Sequence, residues 1–119
     1  MAAEKNFENR LKMYLKNKGS WFIKYWAGAR FTKDGVPDII ACYKGKFLGI
    51  EVKAESGKPS LLQLVMLRKI REAGGIGLLL YPDDFYSFKI WLETGCKEEH
   101  SWYISNIDKQ GVWYQKLST

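Results

Sequence analysis

The chain has 119 residues, 46% of them apolar and 15% aromatic, which is enough to bury the core of one compact domain spanning residues 1–119. Its 19 Lys and Arg against 13 Asp and Glu leave a net charge of +6, which favours a polyanionic partner such as nucleic acid. One histidine and two cysteines without zinc-type spacing exclude a disulfide framework, a multi-histidine metal site and catalysis by a histidine pair.

The N-terminal segment MAAEKNFENRLK is charged from residue 4 onward and lacks the apolar core of a signal peptide. No run in the chain approaches 18 apolar residues, the length that a membrane-spanning helix needs. Together with the low cysteine count, these features predict an intracellular, cytoplasmic protein.

The first elements of the chain are a helix and a strand. Residues 4–17 carry an apolar stripe that includes Phe7 and Leu11, with Gly19 as a stop signal, so we predict a helix there. The aromatic and β-branched run SWFIKYW, residues 20–26, predicts a strand. The following GARFTKDGVP, with two glycines and a proline, predicts a loop.

The central elements are a hairpin and a strand–helix–strand crossover. The apolar runs IIACY and KFLGIEVKA flank Lys44-Gly45, which predicts two antiparallel strands. A helix from Ser60 to Ala73 ends at Gly74-Gly75, and the apolar run IGLLLYP predicts a buried strand parallel to an earlier one. The element order to this point is α-β-β-β-α-β.

The last part of the chain predicts a small extension after a core of about residues 4–82. DDFYSFKIWLETG, residues 83–95, has helical spacing of its apolar residues, which indicates a short helix. SWYIS and GVWYQKL predict a final hairpin, so the extension over 83–119 is expected to be a helix followed by a hairpin.

Two acidic residues are expected to meet across the predicted hairpin. Alternation along the second strand places Glu51 and Lys53 on the same face. If Tyr43 pairs with Lys46, counting outward brings Asp38 opposite Glu51. Opposed carboxylates repel each other, and with a nearby main-chain carbonyl they are hard oxygen ligands suited to Mg²⁺ or Mn²⁺.

The same residues also permit a purely structural interpretation. In that alternative Glu51 and Lys53 form an ion pair on an edge strand, and Asp38 caps a turn after Pro37. Such surface pairs contribute only about 0–1 kcal/mol to stability. Spacing alone leaves the two interpretations open.

The pattern Val36-Pro37-Asp38, twelve residues, then Glu51-Val52-Lys53 resembles the motif of the PD-(D/E)XK nuclease superfamily. The stretch from FENRLKMYLKNKGSWFIKYW to REAGGIGLLLYP is similar to the small virus-type VRR-NUC domains of phage and bacterial proteins. The resemblance covers about residues 4–82. It implies an α/β fold with a restriction-endonuclease-like core, in which helices flank a mixed sheet in the order α-β-β-β-α-β, and a bacterial or phage-infected host cell.

The resemblance also implies roles for individual residues. Asp38 and Glu51 would be metal ligands together with the Val52 main-chain carbonyl. Lys53 would orient or activate the attacking water, and Glu8 of the first helix would complete the acidic site. Gln63 matches the glutamine that follows the motif in this superfamily.

Two of these roles have local alternatives. Glu8 stands four residues before Lys12, an ordinary helical ion pair, and Glu4 is a competing acid one turn earlier. We prefer Glu8 because it borders the apolar stripe of the helix. Gln63 stands three residues after Ser60, so it could serve only in a capping box.

Other candidates for nucleic-acid contact lie outside the motif. Arg30, Lys33 and Lys58 are in loops that flank the motif strands, where they could meet phosphates or simply be solvated. We expect the aromatic side chains of Trp21, Trp26, Trp102 and Trp113 to be in the core, and His100 to be a surface residue.

The resemblance implies a Mg²⁺- or Mn²⁺-dependent endonuclease that hydrolyses DNA phosphodiester bonds. A chain of this size lacks room for a separate sequence-reading module, so we expect structure-selective and not sequence-specific cleavage. The small virus-type members that the chain resembles are similar in scale to Holliday-junction resolvases, which implies branched DNA as the substrate. Paired nicks need two active sites, which predicts a homodimer, and the aromatic tail after residue 84 is one candidate interface. The alternatives are a non-catalytic DNA-binding module and a repair or restriction-like nuclease acting on flaps or linear duplex.

Overall fold

The structure of the chain, a computed structural model, describes residues 2–26 and 34–119. Within these residues the elements, in chain order, are α1 Ala2–Asn17, β1 Trp21–Lys24, β2 Ile39–Tyr43, β3 Lys46–Val52, α2 Leu61–Glu72, β4 Ile76–Leu80, a 3-10 turn Pro82–Asp84, α3 Phe85–Glu93 and α4 Ser101–Ser118. None of these helices has both the length and the apolar character required to cross a membrane.

The four described strands form one mixed sheet in the order β1-β2-β3-β4. β2 and β3 are antiparallel with Tyr43 opposite Lys46, as predicted. Lys44 and Gly45 both have positive φ, 48° and 82°, which gives the hairpin a twist that matches its strands. β4 runs parallel to β3 after the α2 crossover, which confirms the predicted connection. The edge-strand part of the structural alternative is wrong, because β3 lies between β2 and β4.

Helices cover both faces of the sheet. On one face, Leu48, Ile50 and Val52 of β3 belong to a core cluster that also contains Phe7 of α1 and Phe88 of α3. All five residues from Leu48 to Val52 are buried, as expected for an interior strand with both faces covered. The fold is therefore the mixed sheet flanked by helices that the sequence predicts.

α2 packs closely against the opposite face of the sheet at β4, because Gly77 has no side chain in the way. A Cβ atom at Gly77 would lie 2.5 Å from the main-chain oxygen of Leu67 in α2. Leu67 forms a second buried cluster with Leu79 and Tyr81, and Trp113 of α4 packs against it. The sheet is thereby held between α1 and α3 on one side and α2 on the other.

The predicted C-terminal hairpin is wrong, since residues 101–118 form the single helix α4. The aromatic and β-branched residues of SWYIS and GVWYQKL suggested two strands. The buried positions of α4 instead recur at helical spacing, at Tyr103, Asn106 and Gln110. Two of these three are polar, so a search for apolar periodicity does not detect them.

The polar buried residues of α4 satisfy the outer edge of β4. The Asn106 side chain accepts a hydrogen bond from Leu79 N (3.1 Å) and donates one to Leu79 O (2.8 Å). Gln110 Nε2 donates to Gly77 O (2.9 Å), and its amide oxygen accepts from Arg71 of α2. These side chains take the place of a further strand, because they pair the N–H and carbonyl of Leu79 and the carbonyl of Gly77.

The predicted aromatic positions are only partly correct. Trp102 and Trp113 pack against the two buried clusters. Trp21 and Trp26 are 63% and 69% exposed, so the expectation that they lie in the core is wrong. Trp21 belongs to the edge strand β1, whose outward-facing side chains have no second layer of helices over them in the described part of the chain. His100 is half-exposed and caps α4 by accepting from Trp102 N.

Candidate active site

Asp38 and Glu51 lie side by side because of the hairpin register. Ile39 pairs with Ile50, so the residues just outside that pair come together at the open end of the hairpin. Asp38 Oδ2 accepts a hydrogen bond from Val52 N at 2.9 Å, which holds its carboxylate beside β3. The main chain thus places the two acids next to each other, as the sequence predicts.

Glu51 is a buried carboxylate with incomplete compensation. Its side chain is 2% exposed, and its Oε2 atom lies 3.4 Å from Lys53 Nζ. Its Oε1 atom has no hydrogen-bond partner among the described residues. Burial and the neighbouring charge of Asp38 raise the pKa of Glu51 to about 8, although Lys53 acts in the opposite direction. A cation at this position would relieve both the burial penalty and the repulsion.

Glu8 of α1 is also buried, and it lies among lysines. Lys24 Nζ is 2.6 Å from its Oε1 atom, and Lys12 Nζ is 3.4 Å from its Oε2 atom. Burial raises the pKa of Glu8, but Lys24 and Lys12 outweigh it and the net direction is downward. The helical pair with Lys12 is therefore present, and Glu8 is additionally connected to the sheet.

Lys24 of β1 is a site residue that the sequence reasoning missed. Besides Glu8, its ammonium contacts Asp38 Oδ1 at 3.4 Å. Burial lowers the pKa of Lys24, yet the two carboxylates raise it overall, so the side chain remains a cation. Lys24 is opposite Ile39, the residue after Asp38, and Tyr25 N donates to Asp38 O at 2.8 Å. The only signal in the sequence is a lysine on the same strand face as the half-buried Phe22.

The other candidate residues are distributed around this centre. Gln63 N donates to Ser60 Oγ (3.1 Å) and Ser60 N donates to Gln63 Oε1 (2.9 Å), so the capping box is confirmed. A catalytic role for Gln63 stays a prediction. Lys58 is exposed in the loop between β3 and α2. Arg30 and Lys33 lie outside the described residues.

The described residues fit a divalent cation in part. Among residues 2–26 and 34–119, no three His, Cys, Asp or Glu side chains gather closely enough to hold a metal ion. Asp38 and Glu51 form a pair of hard oxygen donors, and one oxygen of the pair is buried and unsatisfied. Among these residues, Glu8 is connected to Asp38 only by the Lys24 ammonium, which contacts both carboxylates, so Glu8 is not a third acid of the pair. The Oε2 atom of Glu8 is also buried without a hydrogen bond, although it forms an ion pair with Lys12.

This arrangement is that of PD-(D/E)XK-type nucleases: Asp38 precedes β2, and Glu51 and Lys53 lie at the end of β3 in a mixed sheet. The family model of archaeal Holliday junction resolvases (Hjc) matches residues 2–74. The chain belongs to this family.

A solved structure supports the same assignment. The Hjc protein of Archaeoglobus fulgidus, described as a Holliday junction resolvase from an archaeal hyperthermophile, is 28% identical with a TM-score of 0.50. The similarity covers 66% of this chain and 69% of that chain. No curated protein matches the chain.

Proposed function

We propose that this chain is a Mg²⁺- or Mn²⁺-dependent endonuclease that hydrolyses phosphodiester bonds in branched DNA, with four-way junctions as its preferred substrate. The observation that carries the proposal is the pairing of Asp38 with the buried, unsatisfied carboxylate of Glu51, beside Lys53. Membership of a family of junction resolvases supports the substrate class. Resemblance to VRR-NUC domains supports a position near the phage and bacterial members of the superfamily.

The residues of the site are proposed to have different roles in hydrolysis. Asp38, Glu51 and the Val52 carbonyl would hold the cation, with Glu8 as a further acid on the α1 side. A cation held there would supply Lewis-acid chemistry, which would lower the pKa of a water and offset the negative charge that develops on the phosphate. Lys53 is on the same strand face as Glu51, and its ammonium can donate a hydrogen bond that orients the attacking water.

The remaining residues of the site prepare Asp38 and Glu8. Val52 N fixes one oxygen of Asp38, which leaves the carboxylate plane oriented before substrate arrives. Lys24 places one positive charge between Asp38 and Glu8 and so offsets part of their negative charge. Gln63 is proposed to act near the site from the first turn of α2, and Lys58, Arg30 and Lys33 to contact phosphates.

We propose that the chain acts as a homodimer in the cytoplasm of a bacterial or phage-infected cell. Resolution of a junction requires two symmetric nicks and therefore two active sites. Phe85, Phe88 and Trp91 of the aromatic tail, one candidate interface, are buried within the chain itself. The net charge of +6 suits binding to the DNA backbone.

The test is cleavage of labelled four-way junction, splayed arm, flap, linear duplex and single strand with Mg²⁺ or Mn²⁺, by wild type and Asp38→Asn. We expect paired nicks in the junction from the wild type and loss of cleavage by at least 100-fold in the variant. Cleavage mainly of flaps or linear duplex would replace the junction proposal with a repair or restriction-like nuclease. DNA binding without cleavage of any substrate by the wild type would identify a non-catalytic binding module.

A further inference from the structure

A pocket of about 400 Å³ opens next to the candidate active site, between the β3–α2 loop, the 3-10 turn and α4. Glu55 and Lys58 of the loop form one side of it, and Tyr81, Lys109 and Trp113 form another. This volume is within the range of about 300–1,000 Å³ that is typical of small-molecule sites.

The backbone connects this pocket directly to the catalytic strand. Lys53 N donates to Leu80 O at 2.9 Å, so the residue after Leu80, Tyr81, lies beside the end of the motif. Tyr81 donates its hydroxyl hydrogen to Gly57 O at 2.7 Å, which ties the β3–α2 loop to β4. Gly57 N in turn donates to Ala54 O at 2.9 Å. The pocket therefore lies beside Lys53, within reach of a DNA strand that has a phosphate there.

The walls of the pocket combine aromatic rings with cations. Lys109 Nζ lies 4.5 Å from the centre of the Tyr81 ring and 3.8 Å from Asp84 Oδ2, which fixes the lysine over the tyrosine. Trp113 is half-buried, and Lys116 Nζ lies 5.2 Å from the centre of its ring. Aromatic faces bordered by lysines are typical of sites that stack nucleobases and hold the adjoining phosphates.

The acids of the pocket favour a base over a bare phosphate. Glu55 and Asp83 line the pocket together with Lys58 and Lys109, so the formal charges of the lining cancel. Carboxylates repel a free anion, whereas they accept hydrogen bonds from the amino groups of nucleobases. The most suitable ligand is thus a nucleotide with its base inside the pocket and its phosphate at the lysine rim.

We propose that this pocket binds an unpaired nucleotide of the DNA substrate, adjacent to the phosphate that is cut, with its base against Trp113. The inference rests on the proposed function for its choice of DNA as ligand. Tyr81, Asp83, Lys109 and Trp113 all lie beyond residues 2–74, the part that the resolvase family model matches. The C-terminal helix thereby adds a preference for unpaired bases to the junction-binding core.

The test uses two junctions, one fully paired and one with an unpaired 2-aminopurine next to the cleavage site, bound in EDTA to prevent hydrolysis. We expect the wild type to quench 2-aminopurine fluorescence by stacking and to prefer the unpaired junction. Trp113→Ala should lose the quenching and weaken binding of the unpaired junction by about 5- to 100-fold, and Trp113→Phe should retain most of both. Trp21→Ala, which removes an exposed tryptophan from β1, is the matched control and should behave as wild type.

A second variant separates ligand binding from packing. Ser56→Trp on the exposed loop would fill the pocket without removing a packed side chain, and should abolish the preference for the unpaired junction. Equal affinities for the two junctions with no quenching by the wild type would overturn the proposal even if the protein cleaves junctions normally. Quenching that depends on Trp113 in a protein that cleaves nothing would support the pocket and reject the nuclease function.

Discussion

At the scale of single residues, the most informative feature is the buried carboxylate of Glu51. Proteins seldom bury an ionisable side chain with one oxygen unpaired, because the desolvation is uncompensated. The neighbouring Asp38 increases the cost, and Lys53 relieves only part of it. In the metal-free protein this site therefore works against folding, which is a common property of sites prepared for a ligand.

Glu51→Gln is expected to stabilise the metal-free protein in a pH-dependent manner while abolishing cleavage. The pKa of Glu51 is raised from 4.5 to about 8, so the folded state binds this proton more tightly than the unfolded state. Protonation of Glu51 therefore stabilises the folded wild type, and this contribution is fully present below pH 4.5 and is lost as the pH rises through 8. Relative to wild type in EDTA, the variant should gain about 1–3 kcal/mol between pH 5 and pH 8.5.

Denaturant unfolding of both proteins at the two pH values measures this difference. The matched variant is Glu55→Gln, since Glu55 is an exposed acid two residues after the motif lysine. Its stability should follow the wild type at both pH values. If the free energy of unfolding of Glu51→Gln changed with pH as much as that of the wild type, Glu51 would not be a buried acid with a raised pKa.

Lys24→Met tests the ammonium that bridges Glu8 and Asp38. The two carboxylates would lose their shared cation, and because Lys24 is about one-third exposed we expect a modest loss of about 1–2 kcal/mol in EDTA. Added Mn²⁺ should restore more stability to the variant than to the wild type, since it would supply the missing charge. Thermal unfolding with and without Mn²⁺ provides the measurement.

Lys12→Met is the matched control for Lys24. Lys12 also pairs with Glu8, at 3.4 Å, and it belongs to α1 and not to the sheet. Lys12→Met should lose less stability than Lys24→Met. Added Mn²⁺ should stabilise Lys12→Met by the same amount as the wild type. Identical responses of the two variants would contradict a role for Lys24 at the Asp38 side of the site.

At the scale of elements, α4 is the feature that sequence patterns did not predict. It packs polar side chains against the outer edge of β4, where two main-chain groups of Leu79 bond to Asn106. An unprotected strand edge is a site for unwanted pairing with other chains. The helix therefore both completes the hydrogen bonding of the sheet and carries one wall of the pocket beside the site.

Asn106→Leu is expected to destabilise the protein by about 2–4 kcal/mol, because it leaves the Leu79 N–H and carbonyl buried without partners. The exposed Ser105→Leu on the same helix should change stability by less than about 0.5 kcal/mol. Urea unfolding gives the free energies of unfolding. Hydrogen exchange of the Leu79 amide measures directly how well α4 protects the edge of β4. Unchanged protection at Leu79 in the Asn106 variant would mean that α4 does not seal this strand.

At the scale of the whole molecule, the proposed cleavage of a junction requires two nicks, so we predict that two copies of the chain act together. Mixing wild type with Asp38→Asn should produce mixed dimers that cut one strand of a junction and leave the other intact. We expect single nicks to dominate when the variant is in tenfold excess, measured on a supercoiled cruciform plasmid as nicked circles in place of linear product. Linear product that falls only in proportion to the wild-type concentration, without added nicked circles, would show that variant chains do not share a junction with wild-type chains, and would contradict the predicted mixed dimers.

Much of the candidate site follows from local signals in the sequence. The Lys44-Gly45 turn sets the register of β2 and β3, and a period of two then brings Asp38 to Glu51 and turns Lys53 the same way. The apolar stripe of α1 places Glu8 at its buried border. These relations involve residues that are close in sequence or joined by a tight turn, so the geometry of one element is sufficient to derive them.

Other parts of the site were decided only by the tertiary structure. Lys24 reaches Asp38 because β1 pairs with β2 across a long connection, whose register no local pattern reveals. α4 is a helix because Asn106 and Gln110 meet the free edge of β4, and the value of a polar residue there depends on a strand more than twenty-five residues away. By itself the sequence determined the motif strands and their acids, through short-range periodicity. Only the folded chain determined which distant side chains complete the site, because those contacts depend on how separate elements pack.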